Sequence, residues 1–290
     1  ALGYFDGVHS GHRAVLGAAV TYAAQHGLTA AAFTFELPGN NSLKGGRILS
    51  LAQKHTRVAQ LGIAQYWEPS FEEFRALSPE DFVRRVLVDC FHAKAVFCGG
   101  NFTFGAYAAG NVALLEQLCA PYGITVDVVP MAQYGGQTVS STRIRAALEE
   151  GRLDDANAML GKPYAIDWAV THGKGIGSGK LGTPTINQNY PAEALQPCTG
   201  VYLTRIWLDG QWRPAATGIG RRPTVDSSAN AAVTCETFVP DYTGNVYGRA
   251  PVLEFHKYLC PVRKFGSMDE LAALIHHAAE ESKAYFAAQH

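Results

Sequence analysis

The sequence predicts two architectures in one chain: an α/β half built on a parallel sheet, then a β half closed by one helix. Three observations carry that reading. Up to about residue 160, short apolar runs alternate with helical patterns, as in a parallel sheet covered on both faces. Beyond Gly161-Lys162-Pro163 the chain turns to strands and turns, with Asp209-Gly210 between two apolar runs as a hairpin signal. A capping box, Ser267-Met268-Asp269-Glu270, then opens a closing helix. The domains are therefore read as 1–160 and 161–290, without internal repeats.

The elements follow in order. Gly3–His12 joins an apolar start to a helical pattern bearing Val15, Ala18, Ala19 and Tyr22. Leu28–Phe35 reads as a buried strand, Leu51–Leu61 as a helix and Gln65–Glu68 as a short strand. Ser78-Pro79-Glu80-Asp81 starts a helix that runs to about Phe91: N-cap serine, proline at the first helical position, acids in the first turn. Ala95–Cys98 reads as a strand, Val112–Tyr122 as a helix and Thr125–Pro130 as a strand. Two short helices, about 142–150 and 153–160, precede Gly161. Strands are expected at Val201–Leu208, Trp212–Thr217, Val233–Val239 and Val252–Leu259. Ligands of parallel sheets bind where strands run into helices, and the glycine-rich turns 3–11 and 99–110 fall there.

Composition excludes several classes. The 290 residues suffice for two cores, and 47% hydrophobic against 17% charged residues is globular, not disordered. A net charge of −1 without a basic run argues against nucleic acid. The six cysteines (90, 98, 119, 198, 235, 260) form no C-x-x-C pair, so they read as reduced thiols of a cytoplasmic protein without zinc. No apolar run spans a bilayer, so the expected partners are small molecules, not membranes, with self-association at most weak. The start Ala-Leu-Gly, without methionine, reads as a strand lacking a short N-terminal piece.

Five motifs carry chemistry. Gly3-Tyr4-Phe5-Asp6-Gly7-Val8-His9-Ser10-Gly11-His12 sets two imidazoles on a strand–turn–helix junction, where backbone N–H groups favour an anion, above all a nucleotide phosphate. A structural or metal-binding histidine pair is the competing reading. Ser140-Ser141-Thr142-Arg143-Ile144-Arg145 sets hydroxyls and two arginines at a helix start, a second phosphate receptor or merely a cap with surface arginines. The two arginines point differently, so one of them reaches a ligand. In Gly99-Gly100-Asn101-Phe102-Thr103-Phe104-Gly105, the alternating phenylalanines either stack on a flat ring or fill the core, and Asn101 is placed to bond a ring edge. Gly173–Gly182 holds five glycines with Lys174 and Lys180, and lacks Walker A spacing. Its tail, Thr185 and Asn187, offers oxygens suited to Mg²⁺ beside a triphosphate. Glu236, on an apolar strand, is either a proton acceptor or an outward strand residue.

Taken together and in order, these motifs resemble prokaryotic bifunctional riboflavin kinase/FAD synthetase across nearly the whole chain. The first half carries G-x-F-D-G-x-H-x-G-H and S-S-T-R-I-R. The second carries Gly161-x-Pro163-Tyr164, Leu181-Gly182-x-Pro184-Thr185-x-Asn187, Gly200-Val201-Tyr202, Ile219-Gly220-x-x-Pro223-Thr224, Glu236-Thr237, Tyr247-Gly248 and Lys264-Phe265. The resemblance implies a Rossmann-like nucleotidyltransferase sheet followed by a small riboflavin-kinase-like β-barrel. It implies phosphorylation of riboflavin to FMN by ATP in the second module, and adenylylation of FMN to FAD in the first, releasing pyrophosphate, with Mg²⁺. His9 and His12 would stabilise the α-phosphate, with Gly3, Phe5, Asp6, Gly11 and Asn101 around the nucleotide and Ser141, Thr142 and Arg143 on the outer phosphates. Glu236 would be the kinase base, Thr185 and Asn187 would flank the metal, and Gly173, Gly179 and Lys180 would line the kinase nucleotide. The sequence departs from the family pattern at Glu36-Leu37-Pro38-Gly39, Lys180, Gly218, Phe238 and Cys260, where Asp-Pro-His-Pro, Arg, Asn, His and Arg are common. Those departures imply a reduced or altered kinase before a silent one. The alternative is an FMN adenylyltransferase with a weakened, flavin-binding kinase module.

Overall fold

The computed structural model describes residues 1–37, 46–172, 185–221, 233–261 and 268–288. They form two compact units, Ala1–Ser141 and Thr142–His290. Ser267, the expected cap of the last helix, lies outside the described residues. No described helix is long and apolar enough to cross a membrane.

In the first unit a tight turn leads to helix α1 (Ser10–His26). There follow β1 (Ala31–Phe33), α2 (Leu51–Gln60), β2 (Gln65–Trp67) and α3 (Pro79–Phe82), the last extended by the π-helical stretch Val83–Cys90. Then come β3 (Ala95–Gly99), α4 (Val112–Cys119), β4 (Thr125–Val129) and the hairpin β5 (Gln133–Tyr134) and β6 (Gln137–Thr138). β1 pairs with β2, and β3 with β4, both in parallel. Ala1–Gly3 lies between the two pairs. Phe33 N–H donates to Ala1 O at 2.9 Å, Gly3 N–H to Phe33 O at 3.3 Å, and Leu2 N–H to Phe97 O at 2.9 Å. The strands are thus ordered β2, β1, residues 1–3, β3, β4. Phe33, Val96, Phe82, Val86, Leu115 and Cys119 belong to the core cluster beside them.

Local chemistry sets the boundaries. Ser50 and Ser78 cap α2 and α3, accepting from Gln53 N–H and Asp81 N–H at 3.0 Å. The expected strand Leu28–Phe35 shortens to Ala31–Phe33, because Leu28 N–H closes the end of α1 onto Ala23 O at 2.8 Å. The expected helix Val112–Tyr122 keeps α geometry only to Cys119, and the turn Ala120–Tyr122, which contains Pro121, tightens to a 3₁₀ helix. Of the two readings open for Phe102 and Phe104, the structure shows core packing. Their rings stack on each other (5.9 Å, 9°), and both join the core cluster beside Phe82.

The second unit carries α5 (Ser141–Glu149), whose first residue belongs to the first unit, and α6 (Leu153–Leu160). Its strands are β7 (Tyr164–Ile166), β8 (Val170–Thr171), β9 (Thr185–Asn189), β10 (Gly200–Leu208), β11 (Gln211–Arg221), β12 (Val233–Phe238) and β13 (Leu253–Pro261), before helix α7 (Met268–Ala287). All seven form one antiparallel sheet, ordered β7-β13-β10-β11-β12-β9-β8. The edge strands β7 and β8 are joined by residues 167–169, a link of at most about 15 Å. A flat sheet of this size would hold its edges about 29 Å apart, so the sheet curls. β10 and β11 turn at Asp209-Gly210, both at positive φ (50° and 81°), as the hairpin signal requires. Helix α6 docks on the sheet through Asn157, which accepts from Tyr164 N–H at 2.7 Å and donates to Phe255 O at 2.9 Å.

Within this sheet Thr217 Oγ1 links Thr204 Oγ1 (2.8 Å) and Thr237 Oγ1 (2.9 Å), all three residues fully buried. Removing the central hydroxyl takes one partner from each neighbour, although Thr204 Oγ1 keeps its bond to Ala215 O at 3.0 Å. Thr217→Val is expected to cost ~1–3 kcal/mol in thermal unfolding. The triple change of Thr204, Thr217 and Thr237 to valine should cost less than the sum of the single changes, because it removes both members of each pair. A neutral Thr217→Val would show that the chain of hydroxyls does not support the sheet.

Candidate active sites

The first site begins with backbone strain. Phe5 (φ 54°) and Val8 (φ 43°) are non-glycine residues in the left-handed region, flanking Gly7 (φ 83°). Each costs about 1–3 kcal/mol and persists only where its surroundings impose it. Three elements do so. Thr34 Oγ1, just past β1, donates to Tyr4 O at 2.9 Å. The Asp6 carboxylate accepts Ile48 N–H at 3.1 and 3.3 Å. Ser141 Oγ donates to Asp6 O at 2.9 Å across 135 residues of chain. Gly3 is required because a Cβ there would lie 2.8 Å from the buried Phe5 ring.

The turn delivers the histidines to the start of α1. His9 is its N-cap: Nδ1 accepts His12 N–H at 3.3 Å. With Nδ1 accepting, a neutral His9 carries its proton on Nε2, as a donor. The two imidazoles stack (3.5 Å, 17°), and the Phe5 ring meets His12 edge-on at 5.4 Å. A side chain at Gly11 would press on the His9 ring at 3.3 Å. Ser10 and Gly11 open the helix, where backbone N–H groups have no intrahelical acceptor. Two imidazoles and a helix N-terminus suit an anion. Asn101 is exposed just past β3, and its Oδ1 lies 3.4 Å from where a Cβ on Gly99 would stand. In α5, Ser141 is tied to the turn, and Thr142 and Arg143 follow it in the second unit. Thr142 is exposed, Arg143 half-buried and Arg145 buried.

Sequence reasoning missed Lys54. Its ammonium is buried against Glu68 (2.6 Å) and Thr34 Oγ1 (3.0 Å), and lies 4.9 Å from the centre of the Tyr4 ring. The signal was present: Leu51, Lys54 and Val58 share one face of α2, so a lysine occupies a core-facing position.

The second site rests on strand register. Glu236 of β12 lies opposite Asn187 of β9 and Gly218 of β11. Directly paired residues share a face, and alternate residues repeat it. Glu236, Asn187, Thr185 and Phe238 are therefore on one face, with Thr237 on the other. Glu236 is half-buried and Asn187 buried, and Asn187 Nδ2 donates to Thr185 O at 3.1 Å. Among the described residues, a Cβ at Gly218 would come near Glu236 O alone, at 4.0 Å. Phe238 and Cys260 both join the apolar cluster of Val201 and Ala216 beneath Ala278 and Ala279 of α7. The expected nucleotide residues Gly173, Gly179 and Lys180, and the motif residues Leu181, Gly182, Pro184, Pro223, Thr224, Lys264 and Phe265, lie outside the described residues.

Comparison with known proteins follows the same division. A model of the FAD synthetase family matches residues 1–143, and one of the riboflavin kinase family matches residues 160–286. The bifunctional riboflavin kinase/FMN adenylyltransferase of Bacillus subtilis (strain 168) is 33% identical over 99% of this chain and 92% of its own length. The protein of the same description from Pseudomonas fluorescens is 32% identical over 94% and 88%. A solved structure described as a macrolide-efflux protein from Streptococcus pneumoniae superposes with a TM-score of 0.85 over 97% of this chain and 92% of that one. At 24% identity that likeness concerns the fold alone. The two family matches and the relatives mark an enzyme with nucleotidyltransferase and kinase activities. The chain belongs to the bifunctional riboflavin kinase/FMN adenylyltransferase family, and its substrates are ATP and flavins.

Gly3→Ala drives a methyl group into the Phe5 ring and should slow conversion of FMN to FAD by about ten- to a hundredfold. Phosphorylation of riboflavin by the same preparation should be unchanged. Unaltered FAD formation would mean that the turn does not depend on Phe5 packing against a bare residue 3.

Proposed function

We propose that adenylylation of FMN takes place at the His9/His12 turn and phosphorylation of riboflavin at Glu236, in modules 1–160 and 161–290. The observation that supports the first assignment is the capped, stacked histidine pair at the start of α1, held by Ser141 from the far end of the unit. Its strand order β2, β1, residues 1–3, β3, β4 supports the reading of a Rossmann-like sheet, in which ligands sit beyond the C-terminal strand ends. The turn and Asn101 both follow such ends. The curled sheet with α7 supports a riboflavin-kinase-like barrel for the second module.

In adenylyl transfer an FMN phosphate oxygen attacks the α-phosphorus of ATP, and pyrophosphate leaves. Charge grows on the non-bridging oxygens, and the transition state asks for donors already in place. His9 Nε2–H, the His12 ring and the first N–H groups of α1 are such donors. Ser141, Thr142 and Arg143, consecutive in α5, are assigned to the outer phosphates; Gly3, Phe5, Asp6 and Gly11 shape the turn that receives the nucleotide. In phosphoryl transfer the riboflavin 5′-oxygen attacks the γ-phosphorus of ATP, ADP leaves, and Glu236 takes the hydroxyl proton. Thr185, Asn187 and Glu236 present hydroxyl, amide and carboxylate oxygens on one face, the hard donors that Mg²⁺ takes. Bound there, the ion would neutralise charge on the nucleotide phosphates.

The family matches over both halves do not favour a silent kinase. Phe238 and Cys260, which depart from the family pattern, complete an apolar cluster and leave Glu236, Asn187 and Thr185 in register. All six cysteines are free.

His12→Ala should reduce FAD formation from FMN by about 10²–10³-fold and spare FMN formation from riboflavin. Glu236→Gln should do the reverse, losing about 10²–10⁴-fold in riboflavin phosphorylation. Chromatography of the flavins formed from riboflavin or FMN with ATP and Mg²⁺ reads both. Equal effects of each variant on both reactions would refute the assignment of separate sites.

A further inference from the structure

The buried ammonium of Lys54 has no role in the chemistry above, yet it occupies a place that stability alone would give to an apolar side chain. Its side chain and that of its partner Glu68 are 6% and 14% exposed. Desolvation of such a pair offsets most of its attraction, and apolar substitutes of similar volume are often as stable. Burial pushes the Lys54 ammonium below its ordinary value, against the pull of Glu68 and of Asp6.

The hydrogen bonds run in one direction. An ammonium only donates. Lys54 therefore donates to Glu68 Oε1 and to Thr34 Oγ1, and Thr34, having accepted, turns its own proton to Tyr4 O at 2.9 Å. Glu68 is held from behind by the Tyr66 hydroxyl, which donates to Oε2 at 2.9 Å. The same ammonium lies against the Tyr4 ring, which also stacks on Phe35 (5.3 Å, 29°). Tyr4 immediately precedes Phe5, the first left-handed residue of the strained turn. The chain Glu68, Lys54, Thr34, Tyr4 thus reaches from β2 through α2 to the residue that launches the histidine loop.

We propose that Lys54 is a positioning residue for adenylyl transfer: by orienting the Thr34 hydroxyl onto the Tyr4 carbonyl, it fixes the entry of the turn that places His9 and His12. This rests on the assignment of FMN adenylylation to that turn.

The test uses the full chain carrying Lys54→Met, Thr34→Val, both together, and the apolar pair Lys54→Met/Glu68→Leu. Steady-state formation of FAD from FMN is measured with thermal unfolding and riboflavin phosphorylation on each preparation. Lys54→Met should lower kcat for FAD formation about tenfold or more, with smaller changes in KM for ATP and FMN and unchanged riboflavin phosphorylation. Because both residues act on one carbonyl, Lys54→Met/Thr34→Val should be no slower than the slower single variant. The apolar pair should fold with an unfolding midpoint near that of the parent and still lose FAD formation. Lys54→Arg should restore part of the rate. If the apolar pair is folded and forms FAD at the parent rate, or if the Lys54 and Thr34 losses multiply, Lys54 serves the fold and the proposal is overturned. His12→Ala in parallel separates the two claims. If it leaves FAD formation intact, the site assignment fails. If it abolishes FAD formation while the apolar pair retains it, only the role of Lys54 fails.

Discussion

The first unit depends on a short piece of backbone that would not hold its shape alone. Phe5 and Val8 sit in left-handed conformations that neither side chain favours. The restoring contacts come from Thr34 after β1, Ile48 before α2 and Ser141 at the far end of the unit. The sheet must therefore be assembled before the histidine turn has its form. Strain concentrated at a functional turn is common where groups must meet a ligand without rearranging. It also explains why a small residue is needed at position 3: the buried Phe5 ring, turned by its own φ, occupies the space above it.

The second unit meets the same demand without strain. In an antiparallel sheet, register alone brings Glu236 and Asn187 side by side, and alternation adds Thr185 and Phe238 to the same face. Phe238 and Cys260 both lie in one apolar cluster under Ala278 and Ala279, so their side chains serve the contact with α7 and leave the pairing of Glu236 with Asn187 in register.

Much of this was legible in the sequence because its signals are local. Ser78-Pro79 marks a cap, Asp209-Gly210 a two-residue turn, and both occur as read. What stayed open or was misjudged was decided by tertiary context. The alternation of Phe102 and Phe104 allows a stacking face or core packing; the segment turns back at Gly105 and Gly110, and the two rings pack into the core. Leu28 belongs by its apolarity to a strand, but the chain there is still leaving α1. The histidine pair was visible as a motif. Its supports were not, because nothing in a linear pattern links Thr34, Ile48 or Ser141 to residues 4–6. Lys54 is intermediate: its position on the apolar face of α2 marks it as unusual, and only the structure shows Glu68 and Thr34 around it.

The contrast between the two sites predicts where each is vulnerable. A pair set by strand register is disturbed by changes that shift or break pairing, and these lie within β9, β11 and β12. A strained turn stores energy that several distant residues must hold in place, so changes far away in the chain reach it through hydrogen bonds of fixed direction. The direction matters as much as the strength. Because Lys54 only donates, Thr34 has one proton and one carbonyl to give it to; replace the ammonium by an acceptor or an apolar group and the hydroxyl can turn elsewhere. The histidine turn then loses a contact that opposes its relaxation, even if the core around it stays closed.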